Sequence, residues 1–198
     1  MKQYSEACKR NEEPIAEVLQ EVLPEEGRPL VLEVGSGTGQ HSVAFARRFD
    51  HLLWQPTNPP GQLASPRAWW KEAGLENLLE PVAFDLFEEE PPVDRADLVV
   101  AINVIHIAPF AATRRLFEHA AQVLERGSPV LLYGPYRYAD RGLEASNRRF
   151  DEFLRARDPR SGLRLFEEVD EIAGACGFCH RESTRLPANN DLHRWERQ

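Results

Sequence analysis

The chain alternates short apolar runs with segments whose apolar residues recur every three or four positions. Pro14 opens a stretch in which Ile15, Val18, Leu19, Val22 and Leu23 fall at helical spacing, and proline is well tolerated in a first helical turn. An N-terminal amphipathic helix is predicted within about residues 5–23. Residues 30–34 are an apolar run ending in glycines, and residues 40–49 return to the helical period, which together read as strand, turn, helix. Further strands are predicted at 52–54, 81–84, 97–102 and 129–133, with helices at 62–73, 111–124 and 167–176 and a β-like region from about Phe178 onward. Strands separated by helices imply an α/β fold: a parallel sheet with helices on both faces. Residues 134–162 break the alternation. They are too long for a plain connection and read as a lid-like insertion of the kind that carries function.

Length and composition narrow the picture. The 198 residues suit a single domain, because one core grows comfortably to this size before splitting. With 42% hydrophobic and 28% charged residues the proportions are globular, and no run approaches the roughly 18 apolar residues that a membrane helix needs. No membrane partner is expected. Residues 1–14 are polar and lack an apolar h-region, which leaves the cytoplasm as the expected compartment. A net charge of −8, with no Lys/Arg run interleaved with aromatics, argues against a nucleic-acid partner. A small molecule is the expected partner, and the oligomeric state is left open. Cys8, Cys176 and Cys179 are too few to staple a secreted scaffold and read as reduced thiols. Cys176, Cys179 and His180 match a C-x-x-C-H pattern, but Gly177 marks a helix end, whereas a reactive dithiol sits at a helix N-terminus. No redox, haem or metal role is assigned to them.

The strongest chemical signal is Glu33, Val34, Gly35, Ser36, Gly37, Thr38 and Gly39, a glycine-rich turn between a strand and a helix. In a doubly wound fold the ligand lies at the carboxyl ends of the strands, and glycines there let it approach the backbone. The spacing is not that of a dinucleotide fingerprint, because Gln40 stands where the third glycine is needed and the carboxylate of Glu33 precedes the first. S-adenosyl-L-methionine (SAM) carries a sulfonium and an α-amino group and no phosphate, so an acid beside the loop suits it. Asn58 stands where a ribose-binding acid is expected, about 20 residues on, and an amide accepts those hydrogen bonds more weakly than a carboxylate. Asp85, at the end of the third strand, is placed to accept from an adenine amino group.

Taken together, several motifs resemble the methyltransferase-like protein 26 family of class I SAM-dependent methyltransferases. They are Arg10 and Asn11 with Glu13, Pro14 and Ile15; the glycine loop through His41; Trp54, Gln55 and Pro56; and Asn103 with His106. The match continues through Tyr133 to Tyr136, Asn147, Asp151, Asp158 and Pro159 to Asn189 and Asn190. The resemblance covers nearly the whole chain and implies a seven-stranded Rossmann-like sheet whose last strand, near 191–196, runs antiparallel. The chain departs from the family at Thr57 and Asn58, where relatives carry Ser and Asp.

Methyl transfer needs an aligned and sometimes deprotonated nucleophile. His106, just past the fourth strand, is the candidate base or orienting partner, with Asn103 beside it for cofactor or substrate. Tyr133 after the fifth strand, and Asp151 with Asn147 on one helical face of the insertion, are further candidates for the catalytic edge. Two other functions fit the fold: a nucleoside-binding module without catalysis, and a nicotinamide dehydrogenase, which Glu33 and Gln40 disfavour.

Overall fold

The computed structural model describes residues 1–24 and 26–198. In chain order its elements are α1 (Glu6–Val22), β1 (Leu30–Val34), α2 (Gln40–Arg48), β2 (Leu53–Asn58), α3 (Ala64–Ala73), β3 (Val82–Ala83), β4 (Leu98–Ile102) and α4 (Val104–Ile107). They continue with α5 (Ala111–Val123), β5 (Pro129–Gly134), β6 (Tyr136–Arg137), α6 (Ala145–Arg157), β7 (Arg164–Leu165), α7 (Phe166–Ala175), β8 (Phe178–Leu186) and β9 (Asn190–Arg197).

Seven strands form one sheet in the order β3-β2-β1-β4-β5-β9-β8. The first five run parallel, and β9 lies antiparallel between β5 and β8. The predicted α/β architecture and its antiparallel last strand are therefore both present. The central strands β1, β4 and β5 are almost continuously apolar because helices cover both of their faces. On one face Val31, Val100 and Leu131 pack with Ile15 and Leu19 of α1 and with Phe45 of α2. On the other, Leu32, Val99 and Leu132 pack with Leu116 and Phe117 of α5 and Val169 of α7. Reversal of chain order at β1 and β4 makes a crevice at the carboxyl ends of these two strands, where ligands bind in doubly wound sheets.

Four elements differ from the sequence reading. Helix α1 begins at Glu6, so Pro14 lies inside it rather than in its first turn. Its early turns are held by tertiary hydrogen bonds, Asn11 to His41 among them, and not by an apolar stripe. Strand β2 runs on past Trp54 through Asn58, because the polar Gln55, Thr57 and Asn58 find buried partners there. Strand β3 contracts to two residues. The insertion carries α6 and β6, and β6 pairs with β7 just beyond it.

Candidate cofactor and substrate site

The glycine loop joins β1 to α2 with Gly35, Gly37 and Gly39 all at positive φ, +72°, +56° and +91°, a region where a side chain is strained. Two of the three also make room for neighbouring chain. A Cβ on Gly35 would stand 2.7 Å from Val104 Cγ2, and one on Gly39 would stand 2.6 Å from Pro66 Cα. Gly37 is different, since a Cβ there meets nothing within 4 Å. It faces open space at the end of β1, and residues 35–40 bring no lysine or arginine for a phosphate. The open position leaves room for a ligand to lie against the loop backbone.

The loop is clamped from β2. The Thr57 hydroxyl donates to the Glu33 carbonyl at 2.8 Å, and the Ser36 N–H donates to the Thr57 carbonyl at 2.7 Å. Asn58 grips Gly37 from both sides: its Oδ1 accepts from the Gly37 N–H at 2.9 Å, and its Nδ2 donates to the Gly37 and Gln62 carbonyls at 3.0 and 2.9 Å. The amide expected to meet the ribose is thus committed to the protein, and it is buried. The sequence marks Thr57 only as a departure from the family pattern, and its clamp role, through a hydroxyl one residue before the expected ribose acceptor, comes from the structure. Asn58→Asp is expected to loosen the loop and weaken SAM binding. A carboxylate keeps the Gly37 N–H but faces two carbonyls without a donor, a loss of roughly 2–4 kcal/mol. Calorimetry with SAM together with a urea melt checks this, and tighter binding by the variant would contradict the clamp.

Glu33 lies beneath the loop with its side chain buried. Its Oε2 accepts from Trp54 Nε1 at 2.8 Å and from the Ser42 hydroxyl. Burial pushes its pKa up, against the pull of those two donors. The carboxylate therefore ties β1 to β2 and α2, and any contact with a ligand amine would be made from a buried position. Alongside, His41 Nε2 meets Asn11 Oδ1 at 2.8 Å, and Asn190 Nδ2 donates to the Tyr133 hydroxyl at 2.9 Å. Tyr133, proposed for the catalytic edge, is buried in the core on the α1 face, and burial raises its pKa. The segment before α1 lies across α2 and α3, where the Ser5 N–H donates to Gln40 Oε1 and the Gln3 N–H to the Ser65 hydroxyl.

At the neighbouring strand ends, Asn103 takes a left-handed conformation, φ 60°, and its N–H donates to the Tyr133 carbonyl at 2.8 Å. His106 follows in α4 with its ring 5.1 Å from that of Tyr136, edge-on. A Cβ on Gly134 would stand 2.3 Å from His106 Nε2 and 3.1 Å from Asn103 Oδ1, so these three residues share one corner of the site. Both His106 nitrogens and the Tyr136 hydroxyl are buried without a partner among the described residues. Burial, reinforced by the Arg164 charge, pushes the His106 pKa down to about 3, which opposes the near-neutral titration expected of a base. Asp151 sits behind this corner. It pairs with Arg155 at 2.9 Å and accepts from the Leu163 N–H at 2.7 Å, holding the stretch whose Gly162 N–H donates to the His106 carbonyl at 2.8 Å. Asn147 donates to the Asn189 carbonyl at 2.9 Å, joining α6 to the β8–β9 turn. Asp85 lies half-buried just after β3, with its Oδ1 taken by the Phe87 N–H at 3.0 Å. The three cysteines are free thiols, and among the described residues no cluster suited to a metal occurs. No described helix is long and apolar enough to cross a membrane.

Sheet order, the antiparallel β9 and the glycine loop define the Rossmann-like fold of class I SAM-dependent methyltransferases. Solved structures share it. A putative O-methyltransferase from Nostoc punctiforme superposes with a TM-score of 0.81 at 18% identity over 96% of this chain and 56% of that one. Human N-acetylserotonin methyltransferase in complex with SAM gives 0.78 at 16% identity over 97% and 53%, and the pyocyanin biosynthetic protein PhzM 0.78 at 20% over 97% and 56%. The chain spans a little over half the length of each. A family model described as "Protein of unknown function (DUF938)" matches residues 2–197, and the chain belongs to that family.

Proposed function

We propose that this chain is a SAM-dependent methyltransferase that methylates a small molecule. The observation that carries this is the open position at Gly37, at the β1–β4 crevice of a methyltransferase fold and in a loop that departs from the dinucleotide spacing at Gln40. The resemblance to the methyltransferase-like protein 26 family supports the same reading. Gly35, Ser36, Gly37, Thr38 and Gly39 would hold SAM, with Asn103 and Asp85 lending polar contacts from β4 and β3. Bound there, SAM supplies an activated methyl group on sulfur. Asn58 and Glu33 act from behind by fixing the loop.

His106 is the candidate for the reacting edge. With its proton affinity low, the neutral ring offers one N–H donor and one bare nitrogen acceptor, which suits orienting an acceptor hydroxyl or amine better than removing its proton. Tyr133 and Asp151 position this edge through the Asn190 and Leu163 contacts described above. The ring is 1% exposed. An acceptor reaches it when the Tyr136 ring, which meets it edge-on, moves aside.

That sealing favours a second reading, a SAM- or nucleoside-binding module without turnover. The first test is a thermal shift with SAM, its demethylated product and NAD, since a ligand that binds the native state alone raises Tm. A rise with the first two and none with NAD is the expected result. A rise with NAD alone would overturn both readings, and SAM binding without methyl transfer to any acceptor would select the module.

A further inference from the structure

Beyond β5 lies a cavity of about 220 Å³ whose walls include Tyr136, Arg137, Tyr138, Arg141, Asn147 and Arg185, with Glu144 as the acid in its lining. Three arginines line it in a chain of net charge −8. They are differently held. The Arg141 guanidinium lies 3.6 Å over the centre of the Tyr138 ring, which fixes its plane. Arg185 is anchored by the buried Asp191 at 3.0 Å and by Asn189 Oδ1 at 3.1 Å. The same Asp191 oxygen also accepts from the Tyr138 hydroxyl at 2.8 Å and stands 4.0 Å from Arg141. One buried carboxylate thus organises two arginines, while Arg137 is exposed and neither ion pair involves it. Counting Glu144 and Asp191 against the three arginines leaves the pocket cationic. An adjoining cavity of about 540 Å³ shares Tyr138, Arg141 and Arg185, but there Asp140, Glu167 and Asp191 outnumber the arginines, so an anion is directed to the first.

We propose that this cavity binds the anionic group, carboxylate or phosphate, of the methyl acceptor. The proposal rests on the methyltransferase reading. Planar guanidinium forks match both groups bidentately, and Arg141 is already held in plane for such a pair. The Tyr136 ring separates the cavity from His106. An acceptor anchored here by its anion lies across Tyr136 from the corner shared by His106, Asn103 and Gly134, and displacement of that ring joins the two.

The test titrates the full chain, with and without the demethylated cofactor product, at constant ionic strength. The probes are inorganic phosphate, 3,4-dihydroxybenzoate and 3,4-dihydroxybenzamide. The expected result is binding of phosphate, of the benzoate or of both, with the neutral benzamide weaker than the benzoate by about tenfold or more, because a charge-assisted pair is lost. The relative strength of the two anions tells phosphate from carboxylate. Arg137→Gln and Arg141→Gln should each weaken the bound anion by about tenfold. Arg137 is exposed, so the melting temperature of its variant reports that the fold survives. Benzamide binding equal to benzoate, no binding of either anion, or unchanged anion affinity in both variants overturns the proposal. Failure of the demethylated product to bind overturns the methyltransferase reading instead, and the anion titration of the unloaded protein is read independently of it.

Discussion

Gly37→Val is expected to abolish SAM binding in a protein that stays folded. The left-handed backbone at this residue, φ +56°, strains a side chain by roughly 1–2 kcal/mol, somewhat more for a β-branched one. That is a fraction of the about 5–15 kcal/mol by which domains are stable. Nothing in the protein lies within 4 Å of the Cβ that a side chain adds there, so the valine projects into the cradle. Affinity should fall by more than about a hundredfold, as expected when atoms fill a close-packed contact. Gly39→Ala supplies the contrast. Its Cβ would meet the Pro66 backbone at 2.6 Å, so α2 and α3 would have to separate, and stability rather than binding suffers first. Calorimetry with SAM and circular dichroism on both variants check the pair. A folded Gly37→Val that binds SAM with unchanged affinity would remove the loop from the site.

The two substitutions show what sequence could and could not reveal. A G-x-G-x-G turn after an apolar strand announces the loop, because glycine takes positive-φ backbone without strain. Which glycine faces a ligand and which faces Pro66 depends on how α3 crosses α2, a tertiary fact without local signature. The central strands were legible for the same reason as the loop: Leu30–Val34 and Leu98–Ile102 are apolar runs too short for helices. Strand β2 was half-hidden, since Gln55, Pro56, Thr57 and Asn58 look like a turn until their partners at Glu80, Glu33 and Gly37 are in place. Asn58 was found by counting from the glycines. Its duty was not, because an amide that accepts from a ribose and one that grips a backbone read identically in sequence. The arginine cavity escaped altogether. Arg137, Arg141 and Arg185 come from the insertion and from β8, and the insertion and the β8–β9 turn bring them together.

His106→Gln is expected to lower turnover by about a hundredfold once an acceptor is in hand, the cost of a misplaced reactant. SAM affinity should change little, since the ring packs against Tyr136 and Gly134 rather than against the glycine loop. The wild-type rate should show no inflection near pH 6.5 from this residue, because burial holds the ring neutral down to a pKa of about 3. The same displacement makes a stability prediction of definite sign. In the unfolded chain the imidazole binds its proton near the usual value of about 6.5. Between that pH and about 3 the unfolded state therefore carries the extra proton, and stability falls as pH falls. Below about 6.5 each such histidine contributes roughly 1.4 kcal/mol per pH unit. His41, lowered by burial to about 4, and His193, lowered by burial to about 3, act in the same direction. Wild type should thus lose stability steeply under mild acid, and His106→Gln, though less stable at neutral pH, should lose it with a shallower slope. Urea melts between neutrality and mild acid measure that slope. An unchanged slope would mean that His106 is protonated or solvated in the folded protein. A variant keeping more than about a third of the wild-type rate would show that the ring does not orient the acceptor.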